Sequence, residues 1–146
     1  ACAELITDAL VVSVHDGDTL RARTRQGDML TIRIAGIDAP ELGQPFGRES
    51  RVLLAAAIAE DPVDLDCFST DRYFRRICRI RSRGRDIALE QVMSGAAWWY
   101  RAYARDQTIQ EASRYSAAER DAKAAKAGLW SSDPMPPWEW RRRQRH

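Results

Sequence analysis

The chain has 146 residues, 45% of them hydrophobic, and a formal net charge of +2, which fits one domain with a single core. No apolar run approaches the ~18 residues of a membrane span, and the lack of a CxxC pair, with His15 and His146 at opposite ends, argues against a zinc site. All but two of the 23 basic residues are arginines, and their distribution says more than the total. Acidic side chains gather at 60–71, whereas Arg75–Arg85 and Arg141–Arg145 form basic stripes compatible with nucleic acid.

Ala1, Cys2 and Ala3 form a small-residue triplet of the kind that ends a secretory signal peptide, so export, to a secreted or periplasmic location, is the expectation. Residues 10–37 then read as three strands. LVVSVHD alternates weakly, TLRARTR cleanly, and MLTIRIAGI places Leu30, Ile32 and Ile34 on one face, with the polar links DGD and QGD making a meander of hairpins. From Pro45 the pattern turns helical, with Val52, Leu53, Ala56 and Ala57 at helical spacing until Pro62 stops the run.

Strands resume at Val63–Phe68 and Arg76–Ile80. A short helix follows, N-capped by Asp86, with Ile87, Leu89, Val92 and Met93 available for burial until Gly95. A third helix opens on a capping box, Thr108 with Glu111, and ends near Gly128. The tail, 131–146, has no periodicity: Trp138 and Trp140 are placed back against the domain and the terminal arginines are read as mobile. Five strands, with a helix after the third and two at the end, match an α+β domain: a five-stranded Greek-key barrel of the OB type with three helices, spanning 1–146 with its core at about 10–130.

Cys67 and Cys78 lie in two strand-like runs flanking a turn near Arg72 and Tyr73. Antiparallel pairing would bring them opposite one another, where a disulfide is geometrically allowed; two buried free thiols are the alternative.

DGDT at 16–19 and RIAGIDAPE at 33–41 together place Asp18, Asp38 and Glu41 beside an arginine. Hard divalent cations take oxygen ligands, and a phosphodiester under attack needs cations on its equatorial oxygens. Perfect strand alternation would send Arg33 and Asp38 to opposite faces, so a bulge or turn is required, and Gly36 is the place for it.

DGDT, RIAGIDAPE, DRYFR at 71–75, LEQVMSGAAW at 89–98 and AKAGLW at 125–130, in that order, give the chain a resemblance to the staphylococcal nuclease, or thermonuclease, family over about Val11 to Trp130. The resemblance implies a calcium-dependent nuclease that hydrolyses DNA and RNA with little sequence preference and leaves 3′-phosphate ends. Asp18 and Asp38 look like the calcium ligands, and Ala39, where the archetype has threonine, like the residue supplying a backbone carbonyl. Glu41 looks like the carboxylate that positions the attacking water, and Arg33 and Arg75 like the phosphate clamps, whose removal should cost activity far more than stability. Asp16 is placed behind the metal ligands, and Tyr73 and Tyr103 resemble the tyrosines lining the nucleotide pocket. Phe74 departs from the pattern: relatives carry glycine before the arginine, and a side chain there either prevents a positive φ or reroutes the loop, with Arg76 as a substitute clamp. A non-catalytic nucleic-acid-binding module on the same barrel is the alternative reading.

Overall fold

The computed structural model describes residues 3–145. Ala1, Cys2 and His146 lie outside the described residues, and with them most of the Ala1–Ala3 triplet. In chain order the elements are β1 (Glu4–Asp16), β2 (Thr19–Arg23), β3 (Met29–Ile34), β4 (Ile37–Asp38), α1 (Gly47–Ile58), β5 (Val63–Thr70), β6 (Arg76–Ser82), β7 (Arg85–Asp86), α2 (Ile87–Met93), β8 (Trp98–Trp99), α3 (Ile109–Ala124) and α4 (Pro137–Gln144), with 3₁₀ turns at Arg101–Asp106 and Gly128–Ser131. None of the described helices is long and apolar enough to cross a membrane.

The first three strands form the expected antiparallel meander, but β1 starts six residues early and uses its extra length to pair with β5. β5 and β6 form a hairpin, and β6 returns to lie parallel to β3, closing five long strands into an α+β barrel of the OB type. Closure hides the sheet edges that a five-stranded ribbon would expose. Inside sit Leu20, Ile32, Ile34, Leu65 and Ile80, all essentially inaccessible to solvent. Cys67 and Cys78 face each other across the β5–β6 register and are bonded, S–S 2.04 Å.

The helices cover the barrel with faces that differ in part from those read from spacing. In α1 the buried stripe is Gly47, Ser50, Leu54 and Ile58, while Val52 is 64% exposed. The i, i+3, i+7, i+11 spacing is helical, but it runs through a glycine and a serine that a hydrophobicity count passes over. In α2 the buried set is Ile87, Ala88, Gln91 and Val92, and Met93 is exposed. Asp86 caps α2 by accepting from the Leu89 amide, and Thr108 with Glu111 forms the reciprocal capping box of α3.

The tail contradicts the reading of it as aperiodic with mobile arginines. Residues 137–144 are a fourth helix beyond the three expected, started by Pro137 at its first position. Eight residues cannot hold a helix by themselves. Here Trp138 stacks on Tyr100 (5.5 Å between ring centroids) and meets Trp98 edge-on at 6.1 Å, which docks α4 against the domain.

Candidate active site

The β1–β2 turn, Asp16-Gly17-Asp18, is held from below. The Asp16 carboxylate accepts the Asp18 amide at 3.0 Å, and the Thr19 hydroxyl donates to Asp18 Oδ1. Gln91 of α2, 1% exposed, donates to the carbonyls of Gly17 (3.0 Å) and Ser50 (3.3 Å). A Cβ at Gly17 would run into Ser50 and Ala39, so the turn sits too close to α1 for any side chain. Gln91 was not singled out by sequence reasoning. Its signal was present in the LEQVM block as a polar side chain on the buried face of a short helix, which needs a partner.

Asp38 reaches the same place from another direction. β3 ends at Ile34, and the chain turns through Gly36 at φ +87°, where an added Cβ would come within 2.9 Å of Gln107. It then re-enters extended structure as β4, paired with β8 through Asp38 opposite Trp98. The turn breaks the alternation, and Arg33 and Asp38 end on one side: Arg33 Nη2 lies 3.4 Å from Asp38 Oδ1 and 3.6 Å from Asp18 Oδ2. Arg33 also donates to the Ile34 carbonyl at 2.6 Å. Both aspartates therefore attend one nitrogen of a guanidinium that is 5% exposed.

The cleft over this cluster, about 760 Å³, is lined by Asp16, Asp18, Arg33, Asp38, Glu41, Tyr73, Arg75 and Tyr103, all of them singled out in the sequence. Ala39 is not on its wall. It is buried, and its amide donates to Asp18 Oδ2 at 2.7 Å, tying the two acidic segments together. Tyr103 sits under Arg33, ring centroid 5.6 Å from Cζ, whereas Tyr73 is 62% exposed at the rim with its hydroxyl accepting from Arg72.

Phe74 does not prevent the positive φ. It adopts φ +64° itself, with its side chain 87% exposed. Asp71 fixes the turn by accepting from the Tyr73 and Arg75 amides and from Arg75 Nε at 2.7 Å. Arg75 thus stays on the cleft wall, while Arg76 is paired with Glu4 at 2.7 Å and lies outside it.

Two arginines of the tail, Arg141 and Arg145, also line the cleft. Arg141 grips Asp38 with both terminal nitrogens, at 2.8 and 3.2 Å, and approaches Glu41 at 3.5 Å. The basic run was visible in sequence, but nothing in a tail without periodicity says that it folds back.

Charges at this density shift one another. Burial, with the Asp18 carboxylate alongside, pushes the Asp16 carboxyl up to about 8. Burial also acts to raise Asp18, but Arg33 and the hydrogen bonds from its neighbours outweigh it and hold Asp18 below the usual carboxylate range. Asp38 is raised by burial, which Arg141 and Arg33 only partly offset.

The donor set suits a hard cation. Two aspartates beside a backbone segment that can offer a carbonyl are the oxygen ligands that calcium or magnesium takes, with water completing the shell. No cluster of three or more His, Cys, Asp or Glu with metal-binding geometry occurs among the described residues, so such a site would rest on Asp18 and Asp38 with the Ala39 carbonyl. The guanidinium of Arg141 on Asp38 shows that this carboxylate attracts a cation.

Residues 31–132 match the family model described as staphylococcal nuclease homologue. The chain belongs to the staphylococcal nuclease family. It is 34% identical over 146 residues to a Haemophilus influenzae protein named an uncharacterized endonuclease, covering 99% of this chain and 79% of that one. An Escherichia coli O157:H7 protein with the same name is 34% identical over 98% of this chain and 89% of its own. A rice protein named probable staphylococcal-like nuclease CAN3 is 35% identical over 93% of this chain, which spans a third of its length. Asp16 and Asp18 lie before the matched segment, whereas Arg33, Asp38, Glu41 and Arg75 lie within it.

Proposed function

We propose that this nuclease-family chain is a calcium-dependent phosphodiesterase that hydrolyses DNA and RNA with little sequence preference and leaves 3′-phosphate ends. The observation that carries the reading is the meeting of Asp18 and Asp38 on one guanidinium nitrogen of Arg33, in a cleft that also holds Glu41 and Arg75. The roles follow from charge and access. Asp18, Asp38 and the Ala39 carbonyl would hold the ion, which when bound supplies positive charge to the phosphate oxygens and a coordination position for water.

Glu41, whose side chain is 35% exposed at the cleft wall, can accept a proton from a water directed at phosphorus. Arg33 from β3 and Arg75 from the loop before β6 approach from different segments and can clamp the non-bridging oxygens, where the transition state accumulates charge. Tyr73 and Tyr103 offer ring faces to a base and hydroxyls to phosphate. Such a site reads backbone rather than base edges, which accounts for weak sequence preference. The Cys67–Cys78 bond supports a secreted or periplasmic location, where disulfides persist.

Digestion of plasmid DNA and of RNA with calcium, with chelator, and by Glu41→Gln tests the reading, with the product ends identified by phosphatase and polymerase extension. Cleavage that needs calcium, falls at least about a hundredfold in the variant and leaves 3′-phosphates is expected. Calcium-independent binding without cleavage would overturn it.

A further inference from the structure

α4 carries a cation into the place where a metal ion would bind. The helix and the residues leading into it are seated by Gln44 Nε2 donating to the Met135 carbonyl at 2.5 Å and by Trp138, stacked on Tyr100 and T-shaped against Trp98. From that seat Arg141 spans both oxygens of Asp38, which is 1% exposed and already shares Oδ1 with Arg33. The same guanidinium reaches Glu41. One side chain from the tail thus engages both a proposed ion ligand and the proposed water-directing carboxylate.

A divalent ion needs an Asp38 oxygen at about 2.3–2.6 Å. With guanidinium nitrogens on both oxygens, that approach forces two cations onto one buried carboxylate, where screening by water is weakest. Nor is Arg141 buried with its partner: its side chain is 38% exposed, on a helix of eight residues, so it has somewhere to go. Arg33 does not share that freedom, being enclosed and bonded to its own strand.

We propose that the C-terminal helix is a built-in competitor for the divalent ion: Arg141 docked on Asp38 and Glu41 holds the cleft closed to metal, and metal binding releases it. The inference rests on the calcium reading of the site given above. Coupling of this kind is reciprocal, so whatever factor Arg141 takes from metal affinity, metal takes from helix docking.

The test is calorimetric titration of calcium alone into the wild-type chain, Arg141→Gln and Arg141→Lys, with hydrogen exchange of the 138–144 amides read with and without calcium. Arg141→Gln is expected to bind calcium about tenfold more tightly, within the usual range of coupling, with Arg141→Lys in between. Half-maximal cleavage should move to lower calcium by the same factor, and calcium should speed exchange in α4 of the wild type. Equal calcium affinity in all three chains, with cleavage intact, overturns the competitor and leaves the nuclease reading standing. Unmoved calcium affinity with a raised KM for DNA would make Arg141 a phosphate ligand instead. Calcium binding to none of them would overturn both.

Discussion

Arg33 and Arg75 look equivalent in the sequence, but their surroundings make them opposites. Arg33 is enclosed between two aspartates and 5% exposed, so removing it leaves the buried Asp18 carboxylate without its cation, while Asp38 keeps Arg141. Breaking a buried pair in this way costs about 3–5 kcal/mol. Arg75, 30% exposed and paired with Asp71 over one turn, carries the energetics of a surface pair, about 0–1 kcal/mol. On the stability side, the expectation that either arginine costs activity far more than stability is kept for Arg75 and revised for Arg33. Urea unfolding of Arg33→Ala and Arg75→Ala should show a large loss for the first and almost none for the second, while both lose cleavage. Equal midpoints would mean that the Arg33 cluster is not buried as described. Gln91 belongs to the same scale: without its amide, the buried Gly17 carbonyl would lose its donor and the turn carrying Asp18 would lose its tie to α2.

At the scale of the element, the β5–β6 loop carries a side chain where backbone preference calls for glycine. Phe74 at φ +64° meets the clash that makes left-handed backbone unfavourable by about 1–2 kcal/mol, and at 87% exposure it recovers little by packing. Glycine would relieve that strain and lose about 0.4–1 kcal/mol to the freer unfolded chain. Phe74→Gly should accordingly stabilise the protein by about 0.5 kcal/mol, read as a raised urea midpoint, with the Asp71–Arg75 hydrogen bonds intact. A lowered midpoint would show that the ring contributes packing. The start of α3 gives a pH-dependent counterpart. Burial alone would raise the Glu111 carboxyl, but Arg79, at 2.9 and 3.1 Å, and the Thr108 amide outweigh it and hold it below its ordinary 4.5. A depressed carboxylate stabilises the fold above the unfolded value and loses that contribution as pH falls through the folded one. Glu111→Gln should thus be less stable than wild type by about 1 kcal/mol at pH 7, a charge-assisted pair discounted for its half-buried arginine. The gap should close below pH about 4.5, as two thermal melts would show. These elements were legible because caps, turns and alternation are local signals. α4 was not, since its helix depends on Trp138 meeting Tyr100 and Trp98, contacts that no window of sequence contains.

For the molecule as a whole, the site depends on a long-range event: the parallel pairing of β3 with β6. Its register sets Ile32 opposite Arg76 and Arg33 opposite Ile77, so one closure of the barrel brings the Arg33 strand beside the end of the loop that carries Arg75. The blocks DGDT, RIAGIDAPE and DRYFR could be read as members of one site, but how they meet is a property of this closure, which joins residues more than forty positions apart. Assembly also sets the electrostatics. Five carboxylates and five arginines line the cleft, so the polar wall is close to neutral overall, and attraction for a polyanion depends on which guanidinium groups are free of acidic partners. Arg33 is committed to Asp18 and Asp38 and Arg75 meets Asp71 through Nε, whereas Arg72 and Arg145 form no salt bridge among the described residues. Each phosphate neutralised on a single strand contributes about −0.7 to the slope of log K against log salt. Two to four such contacts then place the slope for the uncleaved complex of Glu41→Gln, at fixed calcium, between about −1.4 and −2.8. Fluorescence anisotropy with a labelled oligonucleotide across a sodium chloride series measures it. A slope near zero would mean that the cleft arginines do not touch the backbone and that affinity comes from base stacking alone; Arg75→Ala should make the slope shallower by about one contact's worth.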